Sequence, residues 1–118
     1  MARLKVFDTN ALIAVSQGSF DISSQDVHVV ISVITRIEFL AWPNLDDLQR
    51  ELARRMLNSV DTAPLTEEIE EEVIALRKQR TLKLPDAIIA ATALVLGAPL
   101  VTNDDVFTKV SGLILETF

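Results

Sequence analysis

The sequence contains no cysteine and no tyrosine, and His28 is its single histidine. Without cysteine, disulfide bonds and thiolate zinc sites are excluded. With one histidine, cleavage of RNA by a pair of histidines acting as acid and base is excluded as well. The chain also lacks the phosphate loop of P-loop enzymes and the G-x-S-x-G turn of serine hydrolases. Metal-assisted chemistry is the main catalytic alternative that remains.

Long apolar segments are missing too. The longest, residues 87–96, includes Thr92 and is shorter than the roughly 18 apolar residues that a membrane span needs. The opening MARLKVFDTN carries charges and has no signal-peptide core, so we expect a cytoplasmic protein. The formal net charge of −6 argues against a protein that coats nucleic acid. It permits action on nucleic acid at a metal-neutralised site, and it permits binding to a basic partner.

Apolar patterning predicts one α/β domain over residues 1–118. The chain is 49% apolar, which is enough to bury a core. Strands or extended pieces are predicted at residues 4–7, 27–31, 60–63, 100–102 and 113–115. Helices are predicted from a Thr9 or Asn10 cap to 16, from a Ser32 cap to 41, at 45–59 with an Asn44 cap, at 67–80 with a Thr66 cap, and at 85–96, with a helical turn at 104–110. Strands that alternate with helices indicate a parallel sheet covered on both faces.

Four acidic residues interrupt or open apolar segments. Asp8 follows the first strand, and Asp104 follows the strand at 100–102, so both should lie at the carboxyl edge of the sheet. Asp86 opens an otherwise apolar helix, where it could also be a simple cap. Glu38 lies in the middle of a helix, where it could also be a surface residue. Together the four could converge on one end of the sheet.

Converging carboxylates repel one another and favour a bound cation. Ligation by oxygen alone suits Mg²⁺ or Mn²⁺. The four acids therefore point to metal-assisted hydrolysis, for which a phosphate ester is the natural substrate.

The sequence resembles the PIN-domain family and, within it, the VapC-type ribonuclease toxins. The resemblance is carried by LKVFDTNALIA, ISVITRIEFLAW, LKLPDAIIAATALVLGAPLVTNDDVF and the final LILETF. It implies a three-layer α/β/α sandwich with a parallel five-stranded sheet. It also implies a metal-dependent endoribonuclease in which Asp8, Glu38, Asp86 and Asp104 are the metal-binding and catalytic acids.

The resemblance assigns secondary roles as well. Supporting positions beside the metal would be Thr9, Asn10, Thr102 and Asn103. Partners would be an RNA substrate, a cognate antitoxin that covers an apolar groove and the acidic site, and a second copy of the chain in a homodimer.

Basic residues before Asp86 can be interpreted in two ways. They either steer RNA phosphates or form an ordinary basic helix end that its dipole favours. The residues concerned are Arg77, Lys78, Arg80 and Lys83.

Other functions share parts of this pattern. A phosphoacceptor receiver domain would need adjacent acids after the first strand, and a haloacid-dehalogenase phosphatase would need D-x-D, whereas this chain has D-T-N. A PIN module that only binds proteins would be expected to have lost one or more acids. A housekeeping RNA-processing nuclease or a DNA-directed nuclease would have the same site, and the small size favours the toxin.

Overall fold

The computed structural model describes residues 2–43 and 45–118. Its strands are β1 (Arg3–Phe7), β2 (Val27–Ser32), β3 (Asp61–Ala63), β4 (Leu100–Val101) and β5 (Leu115–Glu116). Its helices are α1 (Thr9–Ser16), α2 (Val33–Leu40), α3 (Asp47–Leu57), α4 (Glu67–Lys78) and α5 (Leu84–Leu96), with a 3₁₀ turn at Asp105–Lys109. The predicted α/β class is confirmed.

The strands form one parallel sheet in the order β3-β2-β1-β4-β5. The chain first builds outward from β1 through β2 to β3, then returns to the other side of β1 with β4 and β5. The carboxyl ends of β1 and β4 therefore meet where the direction of winding reverses, and this crevice is the usual ligand site of open parallel sheets.

Alternate residues along the strands pack into two apolar layers, one on each face of the sheet. Val6, Val30 and Leu100 face α4 and the alanine-rich α5, whose residues 87–93 are all buried. Phe7, Ile31 and their neighbours face α1 and α3. Small side chains on α5 let this helix lie close to the sheet. Packing of these two layers holds the sheet in place, and the sheet in turn determines where the carboxyl ends of its strands lie.

Several predicted boundaries need correction. Asp8, rather than Thr9 or Asn10, caps α1, because its carboxylate accepts the N–H of Ala11 at 2.8 Å. The expected Asn44 cap lies outside the described residues; α3 begins at Asp47 with Asp46 as its cap, in a reciprocal capping box with Gln49. The last strand is Leu115–Glu116 instead of residues 113–115.

Other helix ends agree with the sequence. Ser32 caps α2, and Thr66 caps α4 through the N–H of Ile69. Gly97 ends α5 in the left-handed conformation, with φ of 63°, as glycine commonly does after a helix. None of the helices in the described ranges combines the length and the apolarity that a membrane crossing requires.

Candidate active site

Asp8 is the buried member of the acidic group. It is 4% exposed, although it follows β1 at the edge of the sheet. One carboxylate oxygen accepts the Ala11 N–H, and the other accepts the hydroxyl proton of Thr102. The pKa of Asp8 is raised above its ordinary value of 3.8, chiefly by burial; the two hydrogen bonds oppose the rise, and the carboxylates of Asp104 and Asp86 add to it.

Thr102 connects the ends of β1 and β4. Its hydroxyl donates to Asp8, while the same oxygen accepts the backbone N–H of Asp104 at 3.0 Å. Asp104 in turn caps the 3₁₀ turn by accepting the N–H of Val106 at 2.9 Å. Hence one buried hydroxyl sets the spacing between the acid of the first strand and the acid of the fourth.

Asp86 lies half-buried in the first turn of α5. Its pKa is raised, first by burial, then by the negative charges of Asp104 and Glu38, while Lys83 lowers it. Pro85 suits this turn because it has no N–H to leave unpaired. Lys83 occupies the N-cap position and forms no side-chain cap.

Glu38 lies on the exposed side of α2. Thr9, in the first turn of α1, places its hydroxyl oxygen 2.6 Å from Glu38 Oε1. The Glu38 charge raises the pKa of Asp86, so α2 brings a fourth carboxylate within electrostatic range of the other acids.

The acids thus interact as a connected set. Asp8 interacts with Asp104 and Asp86, and Asp86 interacts with Asp104 and Glu38. Within residues 2–43 and 45–118, however, no three acidic or histidine side chains already close around a common point as metal ligands. An all-oxygen group of excess negative charge that is loosely arranged fits Mg²⁺, which usually keeps several waters and takes one or two carboxylates.

The predicted supporting residues differ in what they contact. Thr9 contacts Glu38, Thr102 contacts Asp8, and Asn10 is exposed in the first turn of α1. Asn103, for which the resemblance implied a supporting role, contacts the segment after β5. Its side-chain amide donates to the carbonyl of Phe118 and accepts the N–H of Phe118, both at 2.9 Å. It therefore ties the loop that carries Asp104 to the segment after β5.

The four basic residues that precede Asp86 also differ in what they contact. Arg77 donates to the carbonyl of Leu82 and so braces the connection between α4 and α5. Lys78 lies in the last turn of α4, and Arg80 adopts a positive φ of 57° in the connection. Lys83 is the member whose charge acts on Asp86.

Two buried hydroxyl groups near Glu38 were not assigned to the site from the sequence. Ser32 and Thr35 are 1% and 0% exposed. Ser32 was predicted only as a helix cap. Their spacing from Glu38, three residues at each step, was a signal that they share one side of α2.

A large apolar cleft lies elsewhere, on the face of the sheet covered by α1 and α3. Its volume is about 1410 Å³. The described residues that line it include none of the four acids; among them are Leu12, Phe20, Phe39, Trp42, Leu52 and Met56.

The chain matches a known protein family. The PIN domain family model matches residues 5–113. The chain belongs to the PIN domain family. PIN domains are generally nucleases, and the position of the acids at the carboxyl edge of this PIN domain is where a ligand of a parallel sheet would bind.

Solved structures extend the comparison to VapC-type relatives. A chain of a toxin–antitoxin complex from Klebsiella pneumoniae is 30% identical, with a TM-score of 0.77 over 93% of this chain and 95% of that one. VapBC2 from Rickettsia felis, bound to a promoter DNA fragment, gives a TM-score of 0.80 at 20% identity over 97% and 98%. DNA-bound VapBC from Salmonella typhimurium gives 0.81 at 17% identity over 99% and 98%; these last two establish the fold alone. No curated protein sequence matches the chain significantly.

The predicted resemblance to VapC-type PIN domains, with their parallel five-stranded sheet, is thereby confirmed.

Proposed function

We propose that this PIN domain is a metal-dependent endoribonuclease and the toxin of a toxin–antitoxin pair. The observation that carries the proposal is the connected set of like charges around Asp8, Asp86 and Asp104 at the reversal point of the sheet. A fold does not place a partly buried carboxylate beside other carboxylates for stability, because the arrangement costs free energy. A divalent cation removes that cost.

The four acids are assigned two roles according to whether Thr102 connects them. Asp8 and Asp104 are the proposed direct ligands, since Thr102 holds both in a fixed relation. Glu38 and Asp86 complete the group and orient the attacking water through their free carboxylate oxygens. When bound, Mg²⁺ or Mn²⁺ supplies charge neutralisation at the scissile phosphate and a lowered pKa for a coordinated water.

RNA recognition is assigned to Lys83. Its charge lowers the pKa of Asp86, and lysine is a poor residue for a helix N-cap. Because lysine at this N-cap does not stabilise the helix, we assign it a functional role. Its position at the edge of the acidic group suits contact with a substrate phosphate. Arg77 is assigned a structural role instead, because it bonds to Leu82.

The antitoxin is the proposed occupant of the apolar cleft. The solved relatives from three organisms are toxin–antitoxin complexes, and the net charge of −6 suits a partner with basic side chains. Leu52 lines the cleft while 52% exposed. A homodimer in the cytoplasm is the proposed state of the toxin, and light scattering of the purified chain would measure its mass.

Co-purification with the protein encoded by the adjacent reading frame would test the cleft. We expect Leu52→Asp to weaken the complex at least about tenfold, because a charge would be buried in an apolar contact. Ile74→Asp is the matched control, since Ile74 is 54% exposed on α4 and does not line the cleft. Equal weakening by the two variants would contradict this assignment.

The enzymatic proposal is tested by RNA cleavage with Mg²⁺, with Mn²⁺ and with EDTA, using wild type and Asp8→Asn. Asparagine can still accept the Ala11 N–H, so α1 keeps its cap while the charge is lost. We expect cleavage only with metal and a loss of at least about 100-fold in the variant. Full activity in EDTA, or equal activity of Asp8→Asn, would overturn the mechanism.

A further inference from the structure

Glu38 is reached from the protein interior by a series of hydroxyl groups. Thr9 Oγ1 lies 2.6 Å from Glu38 Oε1. The same Thr9 oxygen lies 3.3 Å from Thr35 Oγ1. Thr35 Oγ1 lies 3.4 Å from Ser32 Oγ. The series therefore runs from buried Ser32, the cap of α2, and buried Thr35 in its first turn to an exposed carboxylate on the same helix, by way of Thr9 on α1.

The number of hydroxyl protons determines which group donates in each hydrogen bond of this series. A hydroxyl group has one proton, and an ionised carboxylate only accepts. Thr9 must therefore give its proton to Glu38. The proton between Thr9 and Thr35 then belongs to Thr35, and the proton between Thr35 and Ser32 belongs to Ser32.

The backbone agrees with that direction. Ser32 Oγ already accepts the N–H of Thr35 at 3.1 Å, as the cap of α2. Its own proton remains available for Thr35 Oγ1. Every hydroxyl in the series thus donates toward Glu38, and each donor is strengthened by the one behind it.

A lone glutamate on an exposed helix face samples several rotamers. Here Oε1 is held by Thr9, and Thr9 is held in turn by a residue that is 0% exposed. With Oε1 engaged, Oε2 is the oxygen that remains for a metal or its water.

We infer that Thr35 and Ser32 are positioning residues for Glu38, acting through Thr9. This inference rests on the proposed nuclease function, because it concerns the geometry of one of its acids. The Thr9–Thr35 and Thr35–Ser32 contacts are longer than the Thr9–Glu38 contact and therefore weaker. The loss of activity on removing a hydroxyl group should therefore decrease from Thr9 to Thr35 to Ser32.

Substitutions at Thr35 separate positioning from packing. Thr35→Val keeps the shape and removes the hydroxyl, whereas Thr35→Ser keeps the hydroxyl and removes a buried methyl group. We expect Thr35→Val to lower kcat about threefold to tenfold, the effect of one modest hydrogen bond, with KM for RNA unchanged. Thr35→Ser should retain activity within about twofold while having the lower melting temperature, because deleting a buried methyl leaves a cavity.

Thr92→Val is the matched control. Thr92 is also buried, at 2% exposed, and its hydroxyl donates to the carbonyl of Ile88 on its own helix. We expect this variant to keep wild-type kcat. If activity follows melting temperature across these three variants, the role of Thr35 is packing alone and the inference is overturned.

A double-mutant cycle with Glu38→Gln tests whether Thr35 acts through Glu38. Thr35→Val should weaken Mn²⁺ binding, measured by calorimetry, in the wild-type background and have no further effect in the Glu38→Gln background. Equal effects in both backgrounds would overturn the inference. If RNA is not cleaved but the cycle on Mn²⁺ affinity shows this coupling, the proposed function fails and the positioning role stands; if wild type binds no Mn²⁺, both fail.

Discussion

Acidic side chains are arranged differently at the amino ends of β2 and β3 and in the group that follows β1 and β4. At the amino edge, His28 on β2 pairs with Asp61 on β3, and the two side chains are 48% and 69% exposed. At the carboxyl edge, Asp8 is buried and its neighbours Asp104 and Asp86 carry the same sign. Asp61 has a partner from the chain, whereas none of Asp8, Asp86 and Asp104 has a basic side chain within ion-pair distance in the part of the chain that the structure describes.

This difference separates stability from function. An exposed contact such as His28–Asp61 contributes little to the free energy of unfolding, and the like charges of the acidic group oppose folding whenever no cation is bound. Substitutions that neutralise these acids should therefore stabilise the metal-free protein and abolish the proposed RNA cleavage.

The largest expected effect is that of Asp104→Asn. Asparagine can still accept the Val106 N–H, so only the charge is lost. We expect RNA cleavage to fall at least about 100-fold and the melting temperature in EDTA to rise by about 2–4 °C, a gain near 0.5–1 kcal/mol. The rise in melting temperature that Mg²⁺ gives the wild type should shrink or disappear.

Asp61→Asn is the matched control for this substitution at the amino edge. It removes one member of an exposed pair and should cost at most about 1 kcal/mol, with cleavage unchanged. A fall in metal-free stability for Asp104→Asn, comparable to that of Asp61→Asn, would break the comparison between the edges.

The next effect is the pH dependence of stability without metal. The pKa values of Asp8 and Asp86 are raised in the folded chain, so these groups bind protons more tightly folded than unfolded. Their contribution to stability is therefore present at pH below the ordinary value of 3.8 and is lost as the pH rises through the folded pKa values.

Thermal melts in EDTA from pH 4.5 to 7 would measure this dependence, with Asp86→Asn as the comparison. We expect the melting temperature of Asp86→Asn to gain on that of wild type as the pH rises, because asparagine has no proton to lose. With Mg²⁺ present, the wild type should recover this difference, since the ion binds the deprotonated carboxylates. A constant difference across the pH range would contradict the raised pKa of Asp86.

The smallest effect is expected at Lys83, the N-cap of α5, whose charge lowers the pKa of Asp86. Lys83→Gln should raise KM for RNA about threefold to tenfold and lower the salt dependence of binding by about one phosphate contact, with kcat preserved. Lys78→Gln, at the end of α4, is the control with the same charge change. Identical shifts in the two variants would show a general charge effect instead of a contact at the acidic edge.

The parts of the fold that could be predicted were those with local causes. Apolar runs located the strands that Asp8 and Asp104 follow, and Ser32, Thr66 and Gly97 marked helix ends through their own side chains or backbone. The start of α3 was wrong because neighbouring residues could serve equally as caps. The two-residue strand β5 was misplaced because only pairing with β4 defines it.

The site shows the same limit. That four acids share one edge could be suggested from strand and helix starts. The partner of Asn103 is 15 residues away along the chain, at Phe118, and no local pattern indicates such a contact. The link from Thr35 to Glu38 passes through Thr9 on another helix, so it exists only once α1 and α2 have packed.

Asp8 accepts a hydrogen bond on each of its two oxygens, from Ala11 on one side and Thr102 on the other. The carboxylate plane therefore cannot turn to follow an incoming cation. A divalent ion at the proposed site would have to adopt the approach that this fixed plane allows. Glu38 and Asp104 also accept hydrogen bonds, from Thr9 and from Val106, whereas the Asp86 carboxylate has no hydrogen bond to any residue that the structure describes. Discrimination between small and large divalent ions would then be governed by Asp86, with Asp8 as the invariant reference.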